Sequence, residues 1–355
     1  MNTTLTSSIF IERLESADRG RLFEFLDTAY PGRSQFKHPD RWQWQFEHNP
    51  FLDHQPLPVW VARDVDRIVG QTAAQIEPLH GVAGVASVAW SVDTIVLPEY
   101  RGQGIGKRLQ QANQQAHTAF ASLSMSTANR RIKQSLGARP LPAMTEMALG
   151  RVARPQSPWR RLSSRLTDNL ARHRFNRATR LSRAYRRRIR CEPIERFGPD
   201  TDSAWESIRN SVGWSIDRTS RLLNWKFLEQ PFTSFQPFVV RVDSQPSGWF
   251  VLRCPAVGES PLGIVSDLVI PPDEPRMARA VVVEATRRFE EMGVQSIRIG
   301  SSTPMLHKVL ASCGFRPLRR FEPMWHQQTP AARPPGSILL TLGDHDLDQF
   351  PLRRS

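Results

Sequence analysis

The residues Arg101-Gly102-Gln103-Gly104-Ile105-Gly106-Lys107 carry the clearest chemical signal in the chain. Three glycines within five positions let the backbone turn left-handed and let a ligand come close to it. Val92 to Val96, just before, are mostly β-branched and predict a strand that Pro98 ends. The run from Ile105 to Phe120, just after, predicts a helix. A strand, a glycine turn and a helix start make an anion-binding device. The first N–H groups of the helix lack partners and point outward, and the helix dipole favours negative charge there.

This stretch resembles motif A of the GNAT superfamily, the Gcn5-related N-acyltransferases, whose hallmark is Arg/Gln-x-x-Gly-x-Gly/Ala. The approach Val96-x-Pro98-Glu99-Tyr100 is similar to the family's as well. The resemblance implies that Arg101, Gly102, Gln103, Gly104, Ile105, Gly106 and Lys107 hold the pyrophosphate of acetyl-coenzyme A. It implies that the strand edge at Ile95 and Val96 pairs with the pantetheine arm. Asn129 stands where the family usually has an asparagine bonded to the pantetheine or to the neighbouring strand.

Acyl transfer from a coenzyme A thioester to an amine needs a thioester held still, a polarised carbonyl and an uncharged amine. The loop answers the first need and, by the resemblance, the backbone N–H near Val96 the second. The third asks for a general base. Asp93, three residues before Val96 where the family often has an acid, is the candidate; a structural carboxylate bonded to loop or helix backbone fits the same position. Glu77 and His80, ending the preceding strand, are the reserves. For the general acid many members use a tyrosine just before a closing Leu-Gly-Phe. Lys133 stands at that place, and Ala138 replaces the aromatic after Gly137. A lysine can donate a proton, although an exposed helix lysine is the ordinary finding.

Those residues need elements to carry them. The chain has 355 residues, enough for two domains, and its 39% hydrophobic and 23% charged content is that of a folded protein. No apolar run is long enough to span a bilayer, and Met1 to Phe10 lacks the basic start and apolar centre of a signal peptide. Cys191, Cys254 and Cys313 are far apart and odd in number, which suggests neither a disulfide framework nor a zinc cluster. A reducing cytoplasm and no metal cofactor are expected.

Before the loop, a strand at Ile9–Leu14 leads to a helix with Leu22, Phe23, Phe25, Leu26 and Ala29 on one face. An aromatic helix spans Asp40 to Phe51, and a hairpin turns around Asp64–Arg67. After the loop come a strand at Ala121–Ser126 and a helix at Ala128–Leu136 that Gly137 closes. The second half repeats this order. Trp44-Gln45-Phe46-Glu47-His48-Asn49-Pro50-Phe51 returns 181 residues later as Trp225-Lys226-Phe227-Leu228-Glu229-Gln230-Pro231-Phe232. Ile11, Trp60, Gly70 and Gly137 have counterparts in Ile194, Phe238, Gly248 and Gly314, in the same order. A tandem duplication follows. The strand Asp93-Thr94-Ile95-Val96 returns as Asp267-Leu268-Val269-Ile270, but the loop after it, Pro271-Pro272-Asp273-Glu274-Pro275-Arg276, has no glycine and adds acids. Such a loop cannot wrap a pyrophosphate with its amides.

The net charge of +14 sits almost wholly between Arg151 and Arg190, where fourteen arginines meet one acid, Asp168. Trp159, Leu162, Leu166 and Leu170, and then as a second group Ala178, Leu181, Tyr185 and Ile189, recur there at spacings of three or four, as in a basic amphipathic helix. A connecting helix packed by its apolar stripe is the first reading; contact with an anionic membrane or an acidic polymer is the second. Nucleic acid is not expected, because no zinc-finger spacing or RNA-binding aromatic motif accompanies the charge. Asp344-His345-Asp346 reads as an exposed turn rather than a metal site.

The expected architecture is α+β, a mixed sheet in each of two tandem GNAT-like domains. Residues 1–150 carry the intact loop, 151–190 form a basic helical linker, 191–328 a degenerate GNAT-like domain, and 329–355 a Pro-rich tail with a short strand. The expected activity is acetyl-coenzyme A-dependent N-acetyl transfer to a small-molecule, sugar or peptide amine. Two other readings share the features: a transferase using charged tRNA, and a non-catalytic coenzyme A-binding scaffold in which Lys133 marks lost catalysis. The intact glycine loop argues against the first of these.

Overall fold

The computed structural model describes residues 9–52, 56–82, 86–150, 158–253, 262–328 and 337–344, without the side chains of Phe36 and residues 158–168. It divides into two compact units, Met1–Leu141 with Pro323–Arg333 and Pro142–Glu322 with Pro334–Ser355.

The chain opens with β1 (Ile9–Arg13), α1 (Arg19–Ala29), α2 (Asp40–Trp42), β2 (Val59–Asp64), β3 (Arg67–His80) and β4 (Ser87–Val96). Next come α3 (Ile105–Gln115), β5 (Ala119–Ser122), α4 (Thr127–Ser135), β6 (Arg139–Pro140) and β7 (Met144–Gly150). The basic helix α5 (Pro158–Arg186) leads to β8 (Ile189–Pro193), α6 (Pro199–Ile208), β9 (Trp214–Ile216) and α7 (Ser220–Leu223). A second meander follows in β10 (Phe235–Val242), β11 (Gln245–Arg253) and β12 (Leu262–Val269). The remainder is α8 (Pro275–Glu291), β13 (Ser296–Ser301), α9 (Pro304–Ser312), β14 (Arg316–Phe321), β15 (Met324–Gln327) and β16 (Ile338–Leu339).

In the first unit the strands lie in the order β1-β2-β3-β4-β5-β15-β6. The pairs from β1 to β4 are antiparallel, whereas β4 and β5 run parallel. Leu22, Phe25 and Leu26 of α1 join Ile105 and Leu109 of α3 in one core, as an amphipathic helix predicts. Helix α3 stops at Gln115, short of the expected Phe120, and the strand expected from Ala121 begins at Ala119. Phe120 pairs with Ala89 of β4, so sheet pairing at this point wins over the local helical pattern.

The second unit has the order β14-β7-β13-β12-β11-β10-β8, again antiparallel except for the parallel pair β12–β13. The duplication is visible in detail. Each unit has a short helix that widens into one π-helical turn, Gln43–Glu47 in the first and Asn224–Leu228 in the second. Trp42, Trp44, Trp90, Trp214 and Trp225 are all buried core residues rather than the lining of an open groove. The strand Met144–Gly150, assigned from sequence to the first domain, pairs with β13 and β14 of the second unit. In return Met324–Gln327 pairs with β5 and β6 of the first. Local alternation marks a segment as a strand but says nothing of which sheet receives it.

Helix α5 exists as expected, and Ala178 and Tyr185 of the expected stripe do pack inward, while other stripe residues do not. Ala171, Ala178 and Ser182 are buried, with Phe175 and Tyr185 packed on the second unit's core. Leu170 and Leu181, placed on the packing stripe from sequence, are 52% and 59% exposed. The expected stripe residues Trp159, Leu162 and Leu166 lie outside the described side chains, and Cys254, His345 and Asp346 outside the described residues. Asp344, expected on an exposed turn, is buried at 3%.

Candidate functional site

Strand β4 ends at Val96, and the chain passes through a turn at Pro98–Tyr100 into the glycine loop. Gly102 and Gly104 have φ of +82° and +75°, a region that costs any other L-residue about 1–2 kcal/mol. Gly104 caps α3, and residues 101–104 are exposed. In the first turn of α3 Lys107 N already donates to the Gly104 carbonyl at 3.1 Å, and the N–H groups before it are those a helix start leaves for an outside acceptor. Arg101 is turned back on the strand, its Nε donating to the Val96 carbonyl at 3.0 Å. Gln103 and Lys107 are exposed on the loop, Ile105 is buried as its anchor, and Gly106 is half-buried.

Beside the loop the sheet opens. The parallel pairing of β4 with β5 consists of Ala89–Phe120 and Trp90–Ala121. Strand β5 ends one residue later at Ser122, while β4 continues to Val96. A bulge in β4 opposite Gln71 and Ala73 accompanies the divergence, with Asp93 at φ +50°. Ile95 and Val96, half-buried, lie on the β4 arm of the resulting fork.

Helix α4 brings two predicted residues to the same side. Ser126 caps it, accepting from the Asn129 N–H at 3.2 Å. Lys133 follows Asn129 by one turn and so shares its face. Lys133 is not the exposed lysine a helix usually carries: it is 1% exposed. Its Nζ donates to Gln110 Oε1 at 2.6 Å and to Ser91 Oγ at 3.0 Å, and lies 4.6 Å from the centre of the Phe120 ring. Burial pushes the ammonium down to about 7, because the charged form loses its hydration without gaining a counter-ion. Gln110 in turn donates through Nε2 to Thr94 Oγ1 and to Thr72 Oγ1, and the two threonine hydroxyls lie 2.8 Å apart. Sequence reasoning missed Gln110, Ser91, Thr72 and Thr94. A signal was present, since α3 presents Gln110, Asn113 and Gln114 to the interior.

Two buried polar atoms near this fork have no partner among the described residues, Ser122 Oγ at the end of β5 and Asn129 Oδ1 at the start of α4. Burying such an atom unpaired costs about 1–3 kcal/mol, so a ligand's amides or hydroxyls would be well received there. A pantetheine arm and a pyrophosphate would suit these donors and acceptors, Ser122 being one that the sequence did not single out.

Asp93 is occupied differently. Its carboxylate is ion-paired with the Lys37 ammonium, both side chains being nearly buried. Glu77 is a satisfied core carboxylate, accepting from Gln75 and from Trp90 Nε1 at 3.1 Å. The second unit repeats the Asp93 arrangement: Arg218 pairs with Asp267, the counterpart of Asp93, within 3.4 Å. There the loop leads through Asp273 and Glu274 directly to Pro275 at the start of α8. Among the described residues no cluster of His, Cys, Asp and Glu is suited to a metal, and no helix is long and apolar enough to cross a membrane.

Residues 55–137 match the family model of the acetyltransferase (GNAT) domain. No curated protein matches the sequence. Among solved structures, a GCN5-related N-acetyltransferase from Anabaena variabilis is similar with a TM-score of 0.59 at 12% identity, covering 90% of this chain and 72% of that one. A tandem GNAT protein from the clavulanic acid biosynthesis pathway is similar at a TM-score of 0.51 and 12% identity, over 92% of this chain and 100% of its own. Eis1 from Mycobacterium abscessus gives 0.52 at 15% identity, over 90% of this chain and 74% of its own. At these identities the likeness is one of fold. The glycine turn and β4 lie within the matched residues 55–137, and the chain shares the fold of GNAT proteins, a tandem one among them.

Proposed function

We propose that the chain is an acetyl-coenzyme A-dependent N-acetyltransferase that works in its first unit, by direct attack of an acceptor amine. The GNAT fold supports acyl transfer in general; the cofactor, the amine and the unit are our reading. One observation carries it. Helix α3 starts at the phosphate-suited glycine turn and, less than two turns later, holds the buried Lys133 through Gln110 at the open strand fork.

When bound, the thioester supplies the activated acetyl group. The loop amides from Gly102 to Lys107 hold the pyrophosphate, with the dipole of α3 behind them. Ile95 and Val96 offer their strand edge to the pantetheine, and Asn129 and Ser122 offer their unpaired oxygens. Lys133 keeps a proton at Nζ, directed by Gln110 and Ser91, and can release it to a leaving anion because burial already disfavours its charge. We assign Asp93 to fixing the β4 bulge through Lys37 rather than to accepting the proton of the amine. The same carboxylate–cation pair recurs in the unit whose loop lacks glycine.

Calorimetric titration with acetyl-coenzyme A tests the reading. One site per chain is expected, lost in Gly104→Asp, with thiol release when small-molecule, sugar and peptide amines are supplied. Absence of binding to the wild type, with affinity for tRNA instead, overturns it; binding without turnover on any amine would leave a scaffold.

The exposed side of α5 favours a further partner. Arg172, Arg174, Arg177, Arg180 and Arg183 are exposed and meet no carboxylate among the described residues, with Leu170 and Leu181 exposed beside them. Arginines flanking exposed leucines suit an anionic membrane surface, met peripherally from the cytoplasm. Co-flotation with anionic but not zwitterionic vesicles is the expected result. Binding to heparin alone would point to an acidic polymer.

A further inference from the structure

The fork that stands open in the first unit is filled in the second. Strands β12 and β13 pair in parallel from Leu262–Ser296 to Val265–Ile299 and then part, as β4 and β5 do. Residues 337–344 lie in the gap and bond to both arms. On the β12 side Gly343 N donates to the Ser266 carbonyl at 2.6 Å. On the β13 side Ser302 N donates to the Leu340 carbonyl at 3.0 Å, Leu340 N donates to Ser302 Oγ at 2.8 Å, and Thr341 bridges Ser301. The start of the segment, Ile338 and Leu339, pairs in parallel with Trp214 and Ser215 of β9.

Side chains complete the fit. Thr341 Oγ1 donates to Asp267 Oδ1 at 2.9 Å. Asp344 Oδ2 accepts from Thr341 N at 2.7 Å and from Arg218 Nη2 at 2.6 Å. Asp267 also accepts from Trp249 Nε1 at 3.0 Å, and Arg218 bridges the two buried carboxyls, with burial and the neighbouring Asp344 pushing the Asp267 carboxyl up. Leu342 rests on Gly300, where an added Cβ would come within 2.6 Å of it. Gly343 is enclosed likewise: a Cβ there would meet the Phe227 ring at 2.7 Å and the Ser266 carbonyl at 2.9 Å.

We propose that the fork of the second unit is a peptide-binding groove whose ligand is the chain's own segment 337–344, seated where the first unit takes the pantetheine arm. The ligand class is an extended peptide with a hydroxyl, a glycine and a carboxylate in the spacing of Thr341, Gly343 and Asp344. The groove works by single backbone bonds to each parting arm and a short strand laid on β9, with Asp344 for register. The glycine-free loop withholds the phosphate contacts and the segment closes the fork, so one thioester binds per chain. The comparison with a pantetheine arm rests on the function proposed above; the occupancy of the groove does not.

Hydrogen exchange on the full chain, with and without acetyl-coenzyme A, tests both. Residues 91–96 and 119–122 should exchange more slowly with the thioester bound, while 262–269 and 296–303 remain unchanged. In Gly343→Val exchange at 262–269 and 296–303 should accelerate by at least roughly tenfold, the effect of losing buried hydrogen-bonded contacts. Asp344→Asn, nearly isosteric, should accelerate the same peptides less. Protection of 262–269 by acetyl-coenzyme A in the wild type, or unchanged exchange there in both variants, overturns the proposal. Failure of the thioester to protect 91–96 removes the proposed function alone.

Discussion

Lys133 Nζ donates to Gln110 Oε1 at 2.6 Å, tying the last helix of the first unit to the helix that begins at the glycine turn. No carboxylate takes part in this contact. A neutral amide fixes the direction of the ammonium without stabilising its charge as a counter-ion would, and that combination leaves a buried lysine near neutrality.

Removing the charge should stabilise the fold. In the unfolded chain Lys133 titrates near its ordinary 10.5, and in the folded one at about 7. Between those values the unfolded state binds more protons, so stability rises with pH across that window and the cost of burial is fully present below it. Lys133→Met should therefore gain on the order of a few kcal/mol at pH 6. The gain should shrink towards pH 10, as followed by urea unfolding at a series of pH values. Turnover should fall about 10²- to 10⁴-fold if Nζ is the proton donor.

A carboxylate at Gln110 would supply the missing counter-charge. Gln110→Glu should raise the Lys133 midpoint by about one to three pH units, and Gln110→Leu should not raise it. Carbon-13 NMR of the Lys133 side chain reads this directly. The alkaline limb of the rate profile should move upward with it, because a general acid is lost as pH passes its midpoint. A rate profile that stays put while the NMR midpoint moves would remove Lys133 from the chemistry.

The Lys37–Asp93 pair is nearly buried, with side chains 12% and 11% exposed. Breaking it by Asp93→Asn should cost about 3 kcal/mol, since the nearly buried ammonium loses its carboxylate. Lys37→Met should cost a similar amount, and the double variant less than the two together, in a double-mutant cycle. The shape of the pH–rate profile should be unchanged in Asp93→Asn. Loss of its acid limb at full stability would return Asp93 to the role of general base.

What the sequence alone determined is what neighbouring residues decide among themselves. Left-handed Gly102 and Gly104 followed by a helix start are local geometry, and the loop was legible as a phosphate-suited turn from consecutive residues. The duplication was legible too, because Trp44 and Trp225 head matching segments that fold into the same π-helical turn. The tertiary structure alone decided the protonation of Lys133, which depends on Ser91 and Phe120 far away in the chain. It decided the strand exchange, in which Met144–Gly150 and Met324–Gln327 each join the sheet of the other half. It also placed residues 337–344 in the second fork, turning an expected surface aspartate into a buried partner of Arg218. Desolvation and strand pairing arise from residues that meet only after folding, and no spacing along the chain records which ones they are.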